Sequence, residues 1–147
     1  MGVIATAELT IDAPLQLAFQ RFIDFTAWDL WMPPVIRPIT GPARALRTGD
    51  LLTVDLGEGR RRLRTELNVI RVRPNREVCW RAGVPGLLVG EHSFFFAERG
   101  GKTAVRSEEP ITGVLASRPL ARMVERTACR VHTQMLTGFA THMRAVR

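Results

Sequence analysis

Val3, Ala5, Ala7, Leu9 and Ile11 alternate with Ile4, Thr6, Glu8, Thr10 and Asp12, the period-two pattern of a strand with one face inward. Asp12-Ala13-Pro14 ends that strand. Asp12 is expected to cap a helix with Pro14 in its first turn and Leu15, Ala18, Phe19, Phe22 and Ile23 as its apolar stripe. Residues 24–31 read as a second short helix or turn, stopped by Pro33-Pro34, which cannot donate helical hydrogen bonds. Alternation then predicts six more strands, at about 36–46, 51–56, 61–73, 77–83, 88–98 and 103–111, separated by turn signals such as Thr48-Gly49-Asp50, Gly57-Glu58-Gly59, Pro74-Asn75-Arg76 and Gly100-Gly101. In the 61–73 run, Leu63, Thr65, Leu67 and Val69 share one parity and Val72 breaks it, which a β-bulge near Ile70 would reconcile. From 118 to 145 the period becomes 3.6. Leu120, Val124, Thr127, Val131, Met135, Gly138 and His142 form one stripe of a long amphipathic helix, with Arg122, Arg126, Arg130 and Arg144 on the other side and Pro119 expected in its first turn.

The stretch from Gly90 to Gly113 reads as one antiparallel hairpin turning at Arg99-Gly100-Gly101-Lys102. Steps of two place His92 with Phe94 and Phe96 on its first arm, and Ser107 and Glu109 with Thr103 and Val105 on its second. A few polar groups among apolar walls is the composition of a pocket for an organic molecule. The helix stripe repeats it, with Thr127, Gln134 and His142 among apolar residues and Gly138 expected to leave space.

Composition narrows the classes. The 147 residues suit a single domain, 1–147, with 46% hydrophobic and 24% charged residues and a mean hydropathy of +0.01, the values of a globular chain. No run approaches the roughly 20 apolar residues of a membrane span and no basic-then-apolar leader opens the chain, so a cytoplasmic location is expected. Residues 1–6 fit the loose myristoylation pattern, but they also begin the first strand. Cys79 and Cys129 lack paired spacing and are expected to be buried free thiols. Glu125, Cys129 and His132 follow a helical progression without the wider ligand set of a zinc site; neither a metal nor a cofactor is expected. The net charge is +7, and Lys102 is the only lysine among 21 basic residues. The densest cluster, Arg60-Arg61-Arg62 with Arg64, sits beside a turn and reads as a solvated hairpin end; without tyrosine or a recognition-helix signature, no specific nucleic-acid partner is expected.

The order β-α-α-β6-α implies an α+β fold, and here the chain resembles the START-like (SRPBCC) superfamily, which includes polyketide cyclase/dehydrase-type proteins. The resemblance spans nearly the whole chain. It rests on Ile11-Asp12-Ala13-Pro14, Trp31 with its following prolines, Arg47-Thr48-Gly49-Asp50, Glu77-Val78-Cys79-Trp80 and above all Gly86-Leu87-Leu88-Val89-Gly90-Glu91-His92-Ser93-Phe94. It implies a helix-grip fold, a curved antiparallel sheet of about seven strands wrapped around the C-terminal helix with an apolar cavity between them. Trp80, His92, Phe94, Phe96, Val105, Ser107 and Glu109 would then face the cavity from the sheet, and Val124, Thr127, Val131, Gln134, Met135 and His142 from the helix. The segment 83–89 would be an apolar loop at its mouth. Many relatives carry Asn where Met32 stands and His where Ser107 stands, so the polar equipment here is thinner.

The fold hosts several chemistries. One reading is binding or transport of a hydrophobic or aromatic small molecule such as a lipid, quinone or polyketide-like compound. A second is an aromatase/cyclase or dehydratase, with His92 as base, Glu109 as acid and Ser107 holding a carbonyl oxygen. A third is a regulatory or chaperone-like interaction protein using the basic surface. A homodimer is the default assembly.

Overall fold

Asn75, at φ 61°, and the Gly100-Gly101 pair, at φ 59° and 80°, reverse the chain where the sequence places turns, because asparagine and glycine tolerate the left-handed region. The computed structural model describes residues 2–146; the two ends of the expected 1–147 domain lie outside the described residues. Along the chain run β1 (Gly2–Ile11), α1 (Leu15–Ile23), a 3₁₀ turn (Phe25–Ala27), α2 (Trp28–Trp31), β2 (Ile36–Thr40), β3 (Leu51–Glu58), β4 (Arg61–Arg73), β5 (Glu77–Val84), β6 (Leu88–Arg99), β7 (Lys102–Thr112), a second 3₁₀ turn (Val114–Ala116) and α3 (Ala121–Ala145). The strands form one curved sheet in the order β1-β7-β6-β5-β4-β3-β2, antiparallel throughout. β2 through β7 follow one another as neighbours, and β1 closes against β7. The fold is α+β, as expected.

The bulge lies where the parity break puts it. Pairing of β4 with β5 steps from Val69 opposite Trp80 to Arg71 opposite Cys79, leaving Ile70 without a partner strand residue. Other local expectations need correction. Pro14 occupies the N-cap of α1 and no side chain caps it; Asp12 stands too early in the chain for that position. Helix α3 begins at Ala121 behind Leu120, so Pro119 belongs to the turn before it. The strand expected over 36–46 ends at Thr40, since Gly41-Pro42 breaks the ladder. Beyond it Leu46 N–H donates to the Ile23 carbonyl at 2.8 Å, and both Arg44 terminal nitrogens hold the Asp50 carboxylate at 2.9 Å. Cys79 is buried in β5, whereas Cys129 on α3 is only half-buried.

The core is aromatic. Phe22 of α1 lies with its ring centroid 4.7 Å from Phe94, 5.1 Å from Phe139, 5.2 Å from Trp31 and 5.3 Å from Phe96. Edge and tilted contacts of this kind add about 0.5–1.5 kcal/mol each to burial. The side of α3 that packs here is one residue along from the expected stripe: His132, Met135, Leu136, Phe139, Ala140 and Met143 are its buried residues. A one-residue shift rotates a helix face by about 100°.

A candidate ligand cavity with a buried polar chain

The C-terminal half of α3 is packed tightly, and Gly138 explains how. A Cβ there would collide with the Trp31 carbonyl oxygen, so glycine lets α3 approach α2 and does not open space as the sequence implied. The N-terminal half stands away from the sheet. Between them lies a cavity of about 700 Å³, walled by Val54, Leu56, Leu67 and Trp80 from the sheet, Trp28 and Met32 from around α2, and Val124, Val131 and Met135 from α3. Val84 and Leu87, at the β5–β6 turn, line it and are exposed, as are Leu63 and Met123.

The cavity wall carries few ionisable groups, and these are joined. His132 Nε2 lies 2.8 Å from Glu109 Oε1, His132 Nδ1 lies 2.8 Å from Ser107 Oγ, and Ser107 Oγ lies 2.7 Å from His92 Nε2. His92, His132 and Glu109 reach the cavity; Ser107 is fully buried behind them. The two imidazoles stack, centroids 3.8 Å apart and planes 9° from parallel, and His92 stacks on Phe94 at 4.0 Å on its other side. Complete burial, and secondarily the neighbouring His132, hold the His92 imidazole well below its ordinary range, so it is neutral at pH 7.

Local sequence explains the placement. Ser107 and Glu109 share a face of β7 through the period of two, and β7 pairs with β6, where Phe94 stands opposite Ser107. Gly90 supplies room: a Cβ there would collide with the Glu109 carboxylate. One donor atom each of His92, Glu109 and His132 falls within 4.8 Å of the others. Nearly parallel stacked rings confine their nitrogen lone pairs to two separate parallel planes, a poor arrangement for convergence on one ion.

Of the residues expected at the cavity, Trp80, His92, Glu109, Val124, Thr127, Val131 and Met135 line it. The others do not. Phe94, Phe96 and Val105 are buried in the core, because α1 and the C-terminal half of α3 cover that part of the sheet. Ser107 is shielded by both histidines. Gln134 is exposed, and His142 lies half-buried with Nε2 unpaired; burial, then the charge of Arg21, lowers its pKa. Both miss the cavity because the α3 face is rotated. His132, weighed from its spacing only as a metal ligand, is the cavity residue that the expected stripe of α3 leaves out. Its signal was available, since it lies at i, i+3, i+4 and i+7 to Met135, Leu136 and Phe139 on the true apolar face.

No known family model and no curated protein matches the chain. Solved structures do. TTHA0849 from Thermus thermophilus is 14% identical with a TM-score of 0.77, covering 98% of this chain and 99% of that one. Ara h 8.0201 is 10% identical with a TM-score of 0.74, covering 99% of each chain. The shared architecture is the helix-grip fold, a curved antiparallel sheet around a long C-terminal helix. DynU16, a protein of the dynemicin biosynthetic locus, shares it at 12% identity and a TM-score of 0.70, over 98% of this chain and 48% of its own length. At such identities the likeness is one of fold. No helix among the described residues is long and apolar enough to cross a membrane.

Proposed function

We propose that this protein binds or transports a hydrophobic or aromatic small molecule, of lipid, quinone or polyketide-like character, in the cavity between the sheet and α3. The observation that supports this reading is the cavity itself, about 700 Å³ of largely apolar-walled space, within the size range of small-molecule sites. Burial of ligand carbon contributes about 25 cal/mol per Å², and His92, His132 and Glu109 orient a polar end. Native mass spectrometry followed by denaturing extraction is the direct test. A retained apolar compound is the expected result; an empty protein that also fails to bind a fluorescent apolar probe overturns the reading.

An aromatase/cyclase or dehydratase is favoured by one feature, that His92 and Glu109 face the same cavity and can serve two positions of one ligand. Direct contact between Ser107 and a carbonyl oxygen does not suit so buried a hydroxyl. Under this reading His92→Ala and Glu109→Gln abolish turnover of a polyketide-like substrate while the fold survives. Activity unchanged in both would reject it.

A further inference from the structure

The polar chain at the cavity has a direction. An ionised Glu109 only accepts, so His132 presents N–H at Nε2 and, when neutral, a lone pair at Nδ1. Ser107 must then donate its hydroxyl hydrogen to His132 Nδ1 and accept from His92 Nε2. A neutral His92 carrying its hydrogen on Nε2 has a bare lone pair on Nδ1, which has no hydrogen-bond partner among the described residues, on a ring that lines the cavity.

We propose that His92, Ser107, His132 and Glu109 form a proton relay that makes the cavity selective for a phenol or enol, held as its oxyanion. The inference rests on the cavity being a ligand site. In the transfer the ligand O–H bond breaks and its electron pair stays on oxygen, while the proton bonds to His92 Nδ1. The hydrogen on His92 Nε2 passes to Ser107 Oγ, and the Ser107 hydroxyl hydrogen passes to His132 Nδ1. The products are a neutral His92, now N–H at Nδ1 and donating to the oxyanion, and an imidazolium at His132 paired with the Glu109 carboxylate 2.8 Å away. No proton is gained or lost overall.

The design solves an electrostatic problem. A phenolate in an apolar cavity is disfavoured by desolvation, and so is a cation on fully buried His92. The relay moves the positive charge past Ser107 to His132, beside the Glu109 carboxylate. Around His92, β7 presents Ser107 and Glu109, α3 presents His132, and β5 presents Trp80, at 5.5 Å. Gly90 is a positioning residue, since any larger side chain displaces the Glu109 carboxylate.

The test uses 4-nitrophenol, whose absorbance reports its ionisation, with the whole chain. Binding is measured first well below the probe's half-ionisation pH, where it is neutral. The wild type is expected to shift the bound probe toward phenolate by about one unit or more, a tenfold change in ratio. Glu109→Gln keeps a hydrogen-bond acceptor for His132 but offers no charge, and Ser107→Ala cuts the chain; in both, the bound probe stays the neutral phenol. Gly90→Ala weakens the shift. Nitrogen-15 spectra give a second reading that is independent of any ligand: hydrogen on Nε2 of both imidazoles in the free protein. A folded wild type that binds only the neutral phenol overturns the relay and leaves the cavity reading intact, whereas no binding of 4-nitrophenol or an apolar probe at any pH overturns both. Hydrogen on His92 Nδ1 in the free protein, an unaltered shift in folded Glu109→Gln, or a stoichiometric metal held by the two histidines would each overturn the relay.

Discussion

The two halves of the sheet–helix interface use the same seven-stranded sheet and the same helix, yet one is filled and the other hollow. In the filled half Phe19, Phe22, Trp31, Phe94, Phe96 and Phe139 interlock and Gly138 draws α3 against α2. In the hollow half Leu56 and Trp80 of the sheet and Val124, Thr127 and Val131 of α3 line the cavity. The sheet's backbone plan does not choose between core and pocket here; the placement of α1 and α2 does.

Substitutions can break this contrast. The largest effect is expected for Phe22→Ala, at the centre of the aromatic cluster, which should cost about 3–5 kcal/mol in urea denaturation; a loss under about 1 kcal/mol would mean that the packed half is not tight. Gly138→Ala follows. The substitution favours helix by about 1 kcal/mol, but the collision with the Trp31 carbonyl cannot be relieved by a side-chain rotation, so a net loss of about 1–3 kcal/mol is expected. A more stable Gly138→Ala protein would show α2 and α3 to be less closely apposed.

Acid should destabilise both halves. Burial, and next His132, lower the His92 pKa, and burial, then Arg21, lower that of His142. The unfolded chain binds these protons near pH 6.5 and the native protein resists them, so stability is complete above about pH 6.5 and declines as pH falls toward the folded-state values. Urea midpoints should therefore drop between about pH 7.5 and pH 5, and the double variant His92→Gln/His142→Gln should flatten that dependence. A midpoint that rises on acidification would contradict the assignment. The smallest stability change is expected for Val124→Phe, which enlarges a side chain into the cavity with no loss of helix propensity. Its unfolding free energy should stay within about 0.5 kcal/mol of the parent, while the affinity for an apolar fluorescent probe falls at least about tenfold, a loss of about 1.4 kcal/mol. Equal binding would place the ligand elsewhere.

Much of this was legible in the chain. Alternation and turn residues located β1 and the strands from β3 to β7, and the parity break after Val69 located the bulge at Ile70, because strand geometry is a local property with a period of two. The pairing of His92 and Glu109 on one wall was likewise readable from the hairpin. The helix was read less well. Val124, Val131 and Met135 line the cavity, but Gln134 and His142 do not, and the expected stripe leaves out His132. Arginine-rich and threonine-rich positions blur an apolar stripe, and a displacement of one residue turns the face by about 100°.

The sequence by itself determined β1 and the strands from β3 to β7, the turns between them, the bulge and the identity of the polar groups on the β6–β7 hairpin, since each depends on neighbours only a few residues away. Tertiary structure decided which of the inward-facing residues became core and which became wall. Phe94 and Phe96 lie on the same strand face as His92, but α1 covers the one end and nothing of equal bulk covers the other. It also decided that His132, from a helix 25 residues beyond Ser107, would complete the chain to Glu109. That contact depends on the rotation of α3 about its axis, which is fixed by close packing at Gly138 and Trp31 and not by any local preference of the chain.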